Sequence, residues 1–160
     1  MTCIVDTNVA IIANETEPSD EMLLCCEVCV ERLRRIMVSG RVALDDDGQI
    51  WEEYKPYMRW HGQLGVGHEF FKWVHDNQWN EDRCDRVTTA SFPEHPSLAS
   101  FDLSDRKFVQ VSLGHPGRPP ILIAADSDWR NHSEALADHV RIEFLCQEHA
   151  RRRRRRGPKI

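Results

Sequence analysis

The chain has 160 residues, a net charge of −5 and a hydrophobic content of 41%, values typical of one globular domain. A chain of this length buries enough surface to fold without a disulfide or a structural metal ion. The sequence contains no run of about 18 apolar residues that could cross a bilayer. It also lacks the basic and apolar segments of a secretory signal. We therefore expect a cytoplasmic protein with no membrane partner.

Basic residues are concentrated at the end of the chain. Residues 151–160 carry seven basic residues and no acid, which leaves a net charge of −12 on the preceding residues. We interpret residues 1–150 as a single domain and residues 151–160 as a basic C-terminal arm. An acidic domain does not attract a polyanion by its average field. Binding of nucleic acid would therefore require metal ions in an acidic site, or the arm.

Alternating strand and helix patterns predict an α/β fold. Apolar runs predict strands at residues 2–8, 41–44, 121–125 and 140–145. Apolar residues spaced three and four apart predict helices at residues 9–13, 20–39, 49–60, 68–79, 106–112 and 133–138. Asn8 and Ser104 are the expected N-caps of two of these helices. The alternation favours a parallel sheet with right-handed crossovers, and residues 61–101 are the least informative.

The cysteines are expected to be reduced core residues. Cys25, Cys26 and Cys29 lie in an apolar helical pattern, without a second C-x-x-C or histidines at zinc spacing. In such a pattern cysteine behaves as a small hydrophobic residue. The same prediction is made for the remaining three, Cys3, Cys84 and Cys146.

Acidic residues follow two predicted strands and begin two predicted helices. Asp6 and Asp126 stand at strand ends, and Glu53 and Asp105 lie near helix starts. In a parallel α/β sheet these positions share one edge, so the four acids are expected to converge. Crowded carboxylates require a cation, and oxygen ligands favour Mg²⁺ or Mn²⁺. Such an ion lowers the pKa of bound water and polarises a phosphoryl oxygen, as phosphodiester hydrolysis requires.

Several of these acids have competing interpretations. Asp6 by itself would be a turn residue, Glu52 competes with Glu53, and Asp102 competes with Asp105 as a loop cap. Three further acids are interpreted as turn residues on a solvated rim, although one pointing inward could reach a metal: Asp45, Asp46 and Asp47. The most specific signal is the Asp-x-Asp of Asp126 and Asp128 directly after a buried strand.

With these motifs the sequence resembles the PIN-domain nucleases over about residues 3–146. The matching elements, in order, are Ile4–Asn8, Glu53-Tyr54, Asp105 and Ile121–Trp129. The resemblance implies a three-layer α/β/α fold with a central parallel sheet. It also implies a Mg²⁺- or Mn²⁺-dependent endoribonuclease that leaves a 3′-hydroxyl and a 5′-phosphate. The family includes toxins of toxin–antitoxin pairs, so a defence role and an inhibitory or operon partner protein are part of this expectation.

The resemblance assigns a role to each acid. Asp6, Glu53, Asp105 and Asp126 would be the four catalytic acids and metal ligands, and Asp128 would support the metal through water. Many relatives carry threonine two positions before the fourth acid, where this chain has Ala124.

Four questions remain open at this point. The same metal chemistry could cleave DNA. The fold could also serve as a non-catalytic module that binds nucleic acid or protein. In addition, the chain could form a homodimer. The arm could contact phosphates or dock a partner. Its arginines are Arg151, Arg152, Arg153, Arg154, Arg155 and Arg156.

Overall fold

Five parallel strands form one central sheet in the part of the chain that the structure describes. The structure is a computed structural model, and it describes residues 1–62 and 64–146. The strands are β1 (Thr2–Val5), β2 (Arg41–Asp45), β3 (Cys84–Val87), β4 (Ile121–Ile123) and β5 (Ile142–Phe144). They lie in the order β3-β2-β1-β4-β5, and every pair is parallel. The predicted α/β class is confirmed.

Helices cover both faces of this sheet. They are α1 (Thr7–Ala13), α2 (Asp20–Ser39), α3 (Gln49–Tyr54), α4 (Val66–Asn77), α5 (Arg106–Gly114), α6 (Ser127–Asn131) and α7 (Ser133–Ala137). Helices α1, α2 and α4 pack against one another, whereas α5 packs on β1, β2 and β4. Right-handed crossovers place α5 on the opposite face, because the chain reverses its direction of travel across the sheet after β3. The fold has the predicted three layers, α/β/α.

The packing of α1 against α4 depends on a glycine. A Cβ atom at Gly67 would lie 1.9 Å from the carbonyl oxygen of Ala10, so no larger residue fits without moving a backbone. Next to it, the Asn14 side chain accepts a hydrogen bond of 2.8 Å from the backbone N–H of His68. This bond satisfies one free donor in the first turn of α4. The end of α1 therefore fixes the start of α4.

Strand β3 was not predicted. Residues Cys84–Val87 are a short segment with two charged side chains, Asp85 and Arg86, so they lack the apolar run of the other strands. Their pairing comes from β2, which they follow in parallel from Val42 to Asp45. An edge strand with one neighbour can carry charged side chains at its exposed side, which removes the sequence signal.

Three residues, Asn8, Ser104 and Asp45, do not have the cap or turn roles that the sequence predicted. Asp6, not Asn8, caps α1 by accepting the backbone N–H of Asn8 at 3.3 Å. Asp102, not Ser104, caps the 3-10 helix Leu103–Asp105 that leads into α5. Asp45 is fully buried, not on a solvated rim, since its carboxylate accepts the backbone N–H groups of Gln49 and Ile50. In each case the carboxylate satisfies free N–H groups at a helix start.

The prediction that all cysteines are reduced is wrong for two of them. Cys25 on α2 and Cys146 after β5 form a disulfide, with Cα atoms 5.1 Å apart and 121 residues between them in sequence. The packing of α2 beside β5 brings the two residues together, and their spacing in the sequence does not predict this pairing. Four cysteines are free and buried, as predicted: Cys3, Cys26, Cys29 and Cys84.

A search of the described helices finds none with the length and apolarity needed to cross a membrane. The longest of them, α2, carries charged residues along its exposed side.

Tyr54 ties the end of α3 to the central strand. The side chain is completely buried, and its hydroxyl donates a hydrogen bond to the carbonyl oxygen of Val5 at the end of β1. Burial, followed by the nearby Asp6 and Glu53 carboxylates, raises the pKa of Tyr54 well above its usual range, so the hydroxyl stays protonated and can donate. This contact holds Glu53, the preceding residue, close to Asp6.

We expect Tyr54→Phe to lower the free energy of unfolding by about 1–3 kcal/mol, because it leaves a buried carbonyl without its donor. Urea denaturation followed by circular dichroism measures the change. Tyr57→Phe is the matched control, since Tyr57 is 45% exposed and surface changes usually stay within about 0.5 kcal/mol. Equal stability of the two variants would contradict this role for the hydroxyl.

Candidate active site

The sheet changes its direction of winding between β1 and β4. The chain runs outward from β1 through β2 to β3 and then returns to β4 on the other side of β1. Ligands of open α/β sheets bind at such a switch point, outside the carboxyl ends of the strands. Asp6 follows β1 directly, and Asp126 is the third residue after β4. Two of the predicted acids therefore lie at the position where a ligand site is expected.

The other two acids come to the same place from different elements. Glu53 lies in the last turn of α3, and Asp105 precedes α5. The Asp6 carboxyl, which is 3% exposed, experiences the charges of Asp105, Glu53 and Asp126. The structure thus brings together four acids that are dispersed over 120 residues of sequence.

Burial and mutual repulsion act on two of these acids. Burial, followed by the charge of Asp105, raises the pKa of Asp6 well above its usual range. Burial, followed by Asp126, Asp102 and Glu53, raises the pKa of Asp105 to about 7. A carboxyl whose pKa is raised on folding is most favourable when protonated, so its contribution to stability is lost as the pH rises from about 4 towards the folded value. Ionisation of the site therefore destabilises the fold unless a cation is present.

Glu53 is held by two residues for which the sequence predicted no role. Its Oε2 atom accepts a hydrogen bond from the Thr7 hydroxyl, and its Oε1 atom accepts one of 2.6 Å from Lys107 Nζ. The Lys107 side chain is 13% exposed, so this ion pair is largely shielded from water. Thr7 adjoins Asp6 in sequence and could have been suspected from that position. Lys107 gave no such signal, because a lysine in a first helical turn is ordinarily solvated.

Asp126 and Asp128 face different partners. Asp126 caps α6 by accepting the backbone N–H groups of Asp128 at 2.8 Å and Trp129 at 3.3 Å. Asp128 instead accepts the backbone N–H of Asp102 at 3.0 Å and lies 3.3 Å from His132 Nδ1. The contacts of Asp128 thus hold the turn that carries Asp105, and its predicted support of a metal stays a prediction.

The competing acids differ from the four in their surroundings. Glu52 is exposed, whereas Glu53 is partly buried and hydrogen-bonded. Asp102 uses its carboxylate to cap Ser104, as a loop residue would. Asp46 and Asp47 are exposed turn residues, in agreement with the prediction for that pair. The arginine arm lies outside the described residues.

The oxygen atoms of the site are ligands of the kind that a hard divalent cation prefers, but the acids are widely spaced for direct coordination of one ion. Four carboxylates and one hydroxyl offer oxygen ligands, which Mg²⁺ and Mn²⁺ prefer. Within residues 1–62 and 64–146, however, no three of these acids have ligand atoms all within 4.8 Å of one another. Mg²⁺ keeps much of its water shell in proteins, so carboxylates at wider spacing can hold it through water. We regard the residues as fitting such an ion.

Comparisons of the chain with protein-family models, curated proteins and solved structures find no match. The resemblance of the motifs to PIN-domain nucleases therefore stays a hypothesis.

We expect Asp6→Asn to raise the melting temperature of the chelated protein at pH 8, because asparagine removes the cost of burying a carboxyl group that is ionised in the unfolded chain. Asparagine caps a helix as well as aspartate does, so the α1 cap is retained. An ion that binds only the native state raises the melting temperature, so we expect Mn²⁺ to raise it for the wild-type protein and much less for Asp6→Asn. A gain of about 1 kcal/mol corresponds to roughly 2–4 °C for a domain of this size.

Differential scanning calorimetry with and without Mn²⁺ measures both shifts. Asp47→Asn serves as the control, because it removes the same formal charge from an exposed turn. If Mn²⁺ stabilised the wild-type protein and Asp6→Asn equally, the acids would not form the binding site.

Proposed function

We propose that this protein is a Mg²⁺- or Mn²⁺-dependent endoribonuclease. The observation that carries the proposal is the convergence of Asp6, Glu53, Asp105 and Asp126 at the sheet's switch point, where their charges act on one another. A purely structural role does not account for this cluster, because it destabilises the ionised fold. The order of the motifs, which resembles that of PIN-domain nucleases, supports RNA as the substrate.

Each acid has a defined part in this proposal. Asp6, Glu53, Asp105 and Asp126 would hold the cation, with Asp128 in support. A divalent cation bound there would polarise the phosphoryl oxygen and lower the pKa of its bound water. Helix N-termini orient Asp6 and Asp126, because each carboxylate accepts backbone N–H groups at the start of the helix that follows it.

Thr7 and Lys107 orient the Glu53 carboxylate. With both Glu53 oxygens engaged, the side chain is fixed in one rotamer before any ligand binds. The Lys107 ammonium also supplies positive charge to an otherwise acidic site, which reduces its repulsion of an RNA phosphate. Preorganisation of this kind lowers the reorganisation cost of the transition state.

In the presence of Mn²⁺ we expect the purified protein to cleave RNA and leave 5′-phosphate ends. Glu53→Gln should lower the rate by about two orders of magnitude or more, the range seen on loss of one electrostatic partner. Glu52→Gln should cleave at the wild-type rate, because Glu52 is exposed. Gel analysis of a labelled RNA measures the rates, and EDTA should abolish cleavage by all of these proteins.

Cleavage that survives EDTA, or equal rates for the two glutamine variants, would contradict the mechanism. A DNA oligonucleotide of the same sequence is assayed in parallel, since the metal chemistry does not require a 2′-hydroxyl. Faster cleavage of DNA would assign the enzyme to DNA instead. Binding of RNA without cleavage of either polymer would indicate a non-catalytic module.

The arm is proposed to contact the RNA backbone. We expect removal of residues 151–160 from the Glu53→Gln protein to weaken RNA binding and to flatten its dependence on salt, since fewer counterions are released from phosphates. Fluorescence anisotropy at several salt concentrations measures both. The Glu53→Gln protein with the arm intact is the reference, and an unchanged salt slope would favour docking of a partner by the arm.

A further inference from the structure

We propose that Cys25, Cys29 and Cys146, here called the cysteine cluster, bind a thiophilic cation when the disulfide is reduced, and that Cu(I) is the ion of best fit. The Sγ atoms of the three residues lie within 4.8 Å of one another. The site is separate from the acidic site, and the proposal does not depend on the nuclease function.

Helix geometry explains why these three sulfurs meet. Cys25 and Cys29 are four residues apart on α2, so they lie on the same face in consecutive turns. Cys146 approaches that face from the segment after β5, and its Sγ atom lies 4.0 Å from Cys29 Sγ. All three side chains are buried, with 2%, 0% and 4% of their surface exposed. Two of the sulfurs are positioned by α2, and Cys146 lies in the turn after β5, where its backbone N–H donates to the carbonyl oxygen of Ala124 at 3.2 Å.

The donor set selects the class of ion. Thiolate ligands favour Cu(I), Zn²⁺ and other soft cations over Mg²⁺ and Ca²⁺. Structural Zn²⁺ takes four ligands in a tetrahedron, whereas this group supplies three sulfurs from the described residues. Cu(I) is satisfied by three sulfur ligands or fewer. A buried group of three sulfurs therefore fits Cu(I) best.

The other free cysteines do not belong to this group. Cys3 Sγ faces the carbonyl oxygen of Arg41, and Cys26 Sγ faces that of Glu15. A coordinated thiol loses its proton outright. Each S–Cu bond that forms then releases one proton to the solvent.

The disulfide and the metal exclude each other. In the oxidised chain Cys25 and Cys146 share a covalent bond, and Cys29 is the one free thiol of the cluster. An added phosphine takes an oxygen atom from water and becomes a phosphine oxide, while the disulfide accepts two electrons and two protons and becomes two thiols. The reduced chain then offers all three sulfurs.

The test is a titration of the full-length protein with Cu(I) held by the coloured chelator bicinchoninate, under nitrogen. The phosphine is removed by gel filtration beforehand. We expect the reduced protein to withdraw one equivalent of Cu(I) from the chelator, with loss of colour and release of protons to a weak buffer. The oxidised protein should withdraw none. Circular dichroism of the reduced protein should match that of the oxidised protein, and unfolding on reduction would overturn the proposal.

Cys29→Ser separates the cluster from the disulfide. This variant keeps Cys25 and Cys146, so formation of the disulfide, checked by mass, reports correct folding. After reduction, its apparent Kd for Cu(I) should rise by at least roughly 10–100-fold. Loss of a residue that only orients a metal ligand already weakens binding by that factor, and Cys29 is proposed as a ligand itself. Cys84→Ser, a buried free cysteine outside the cluster, is the control and should bind as the wild-type protein does.

Besides unfolding on reduction, three binding results would overturn the proposal: no withdrawal of Cu(I) by the reduced protein, equal binding by Cys29→Ser, or equal loss of binding in Cys84→Ser. Asp6→Asn is expected to bind Cu(I) normally, since hard oxygen ligands do not compete for a soft ion. Failure of the nuclease assay therefore leaves this result unaffected, and the reverse also holds.

Discussion

The repulsion among four carboxylates at one edge of the sheet, where Asp6 is buried and the others are partly buried, is the constraint on which the rest of the site depends. Each of these groups prefers water, and their proximity adds like charge to the cost of burial. The fold offsets part of this cost with groups already present: helix N-termini face Asp6 and Asp126, and the Lys107 ammonium faces Glu53. The raised pKa values of Asp6 and Asp105 show that the compensation is incomplete. The remaining imbalance is what a bound cation would correct.

The topology of the sheet explains why the acids can meet at all. Parallel strands align their carboxyl ends, and the reversal of winding between β1 and β4 opens a crevice there. Tyr54 then fixes α3 to Val5, the last residue of β1. The four acids are far apart in sequence, and their relative positions therefore depend on the pairing of the strands and on the buried Tyr54 hydroxyl.

The sequence predicted those parts of the molecule that local pattern determines. The first strand, the long helix α2, the strand before Asp126 and the four acids all had a periodicity or a motif. Strand β3, the Cys25–Cys146 disulfide and the Lys107–Glu53 ion pair had none, because each depends on segments that meet through tertiary packing. Asp45 belongs to a third class. The sequence assigned it to an acidic turn, whereas it is the last residue of β2, and its burial against the start of α3 could not be predicted from charge alone.

The two proposed cation sites are chemically distinct, yet one backbone hydrogen bond connects the segments that carry them. The N–H of Cys146 donates to the carbonyl oxygen of Ala124 at 3.2 Å, two residues before Asp126. A movement of Cys146 on reduction would therefore act on Ala124 and, through it, on the position of Asp126. Against this, Arg32 on α2 donates a hydrogen bond of 3.0 Å to Glu143 in β5, which ties the same helix to the same strand without the disulfide. Strand β5 also pairs with β4 through its backbone, and neither this pairing nor the ion pair depends on the oxidation state of sulfur, so β5 keeps its place beside β4 when the disulfide opens. The acidic site should consequently retain its geometry in both states of the cysteine cluster.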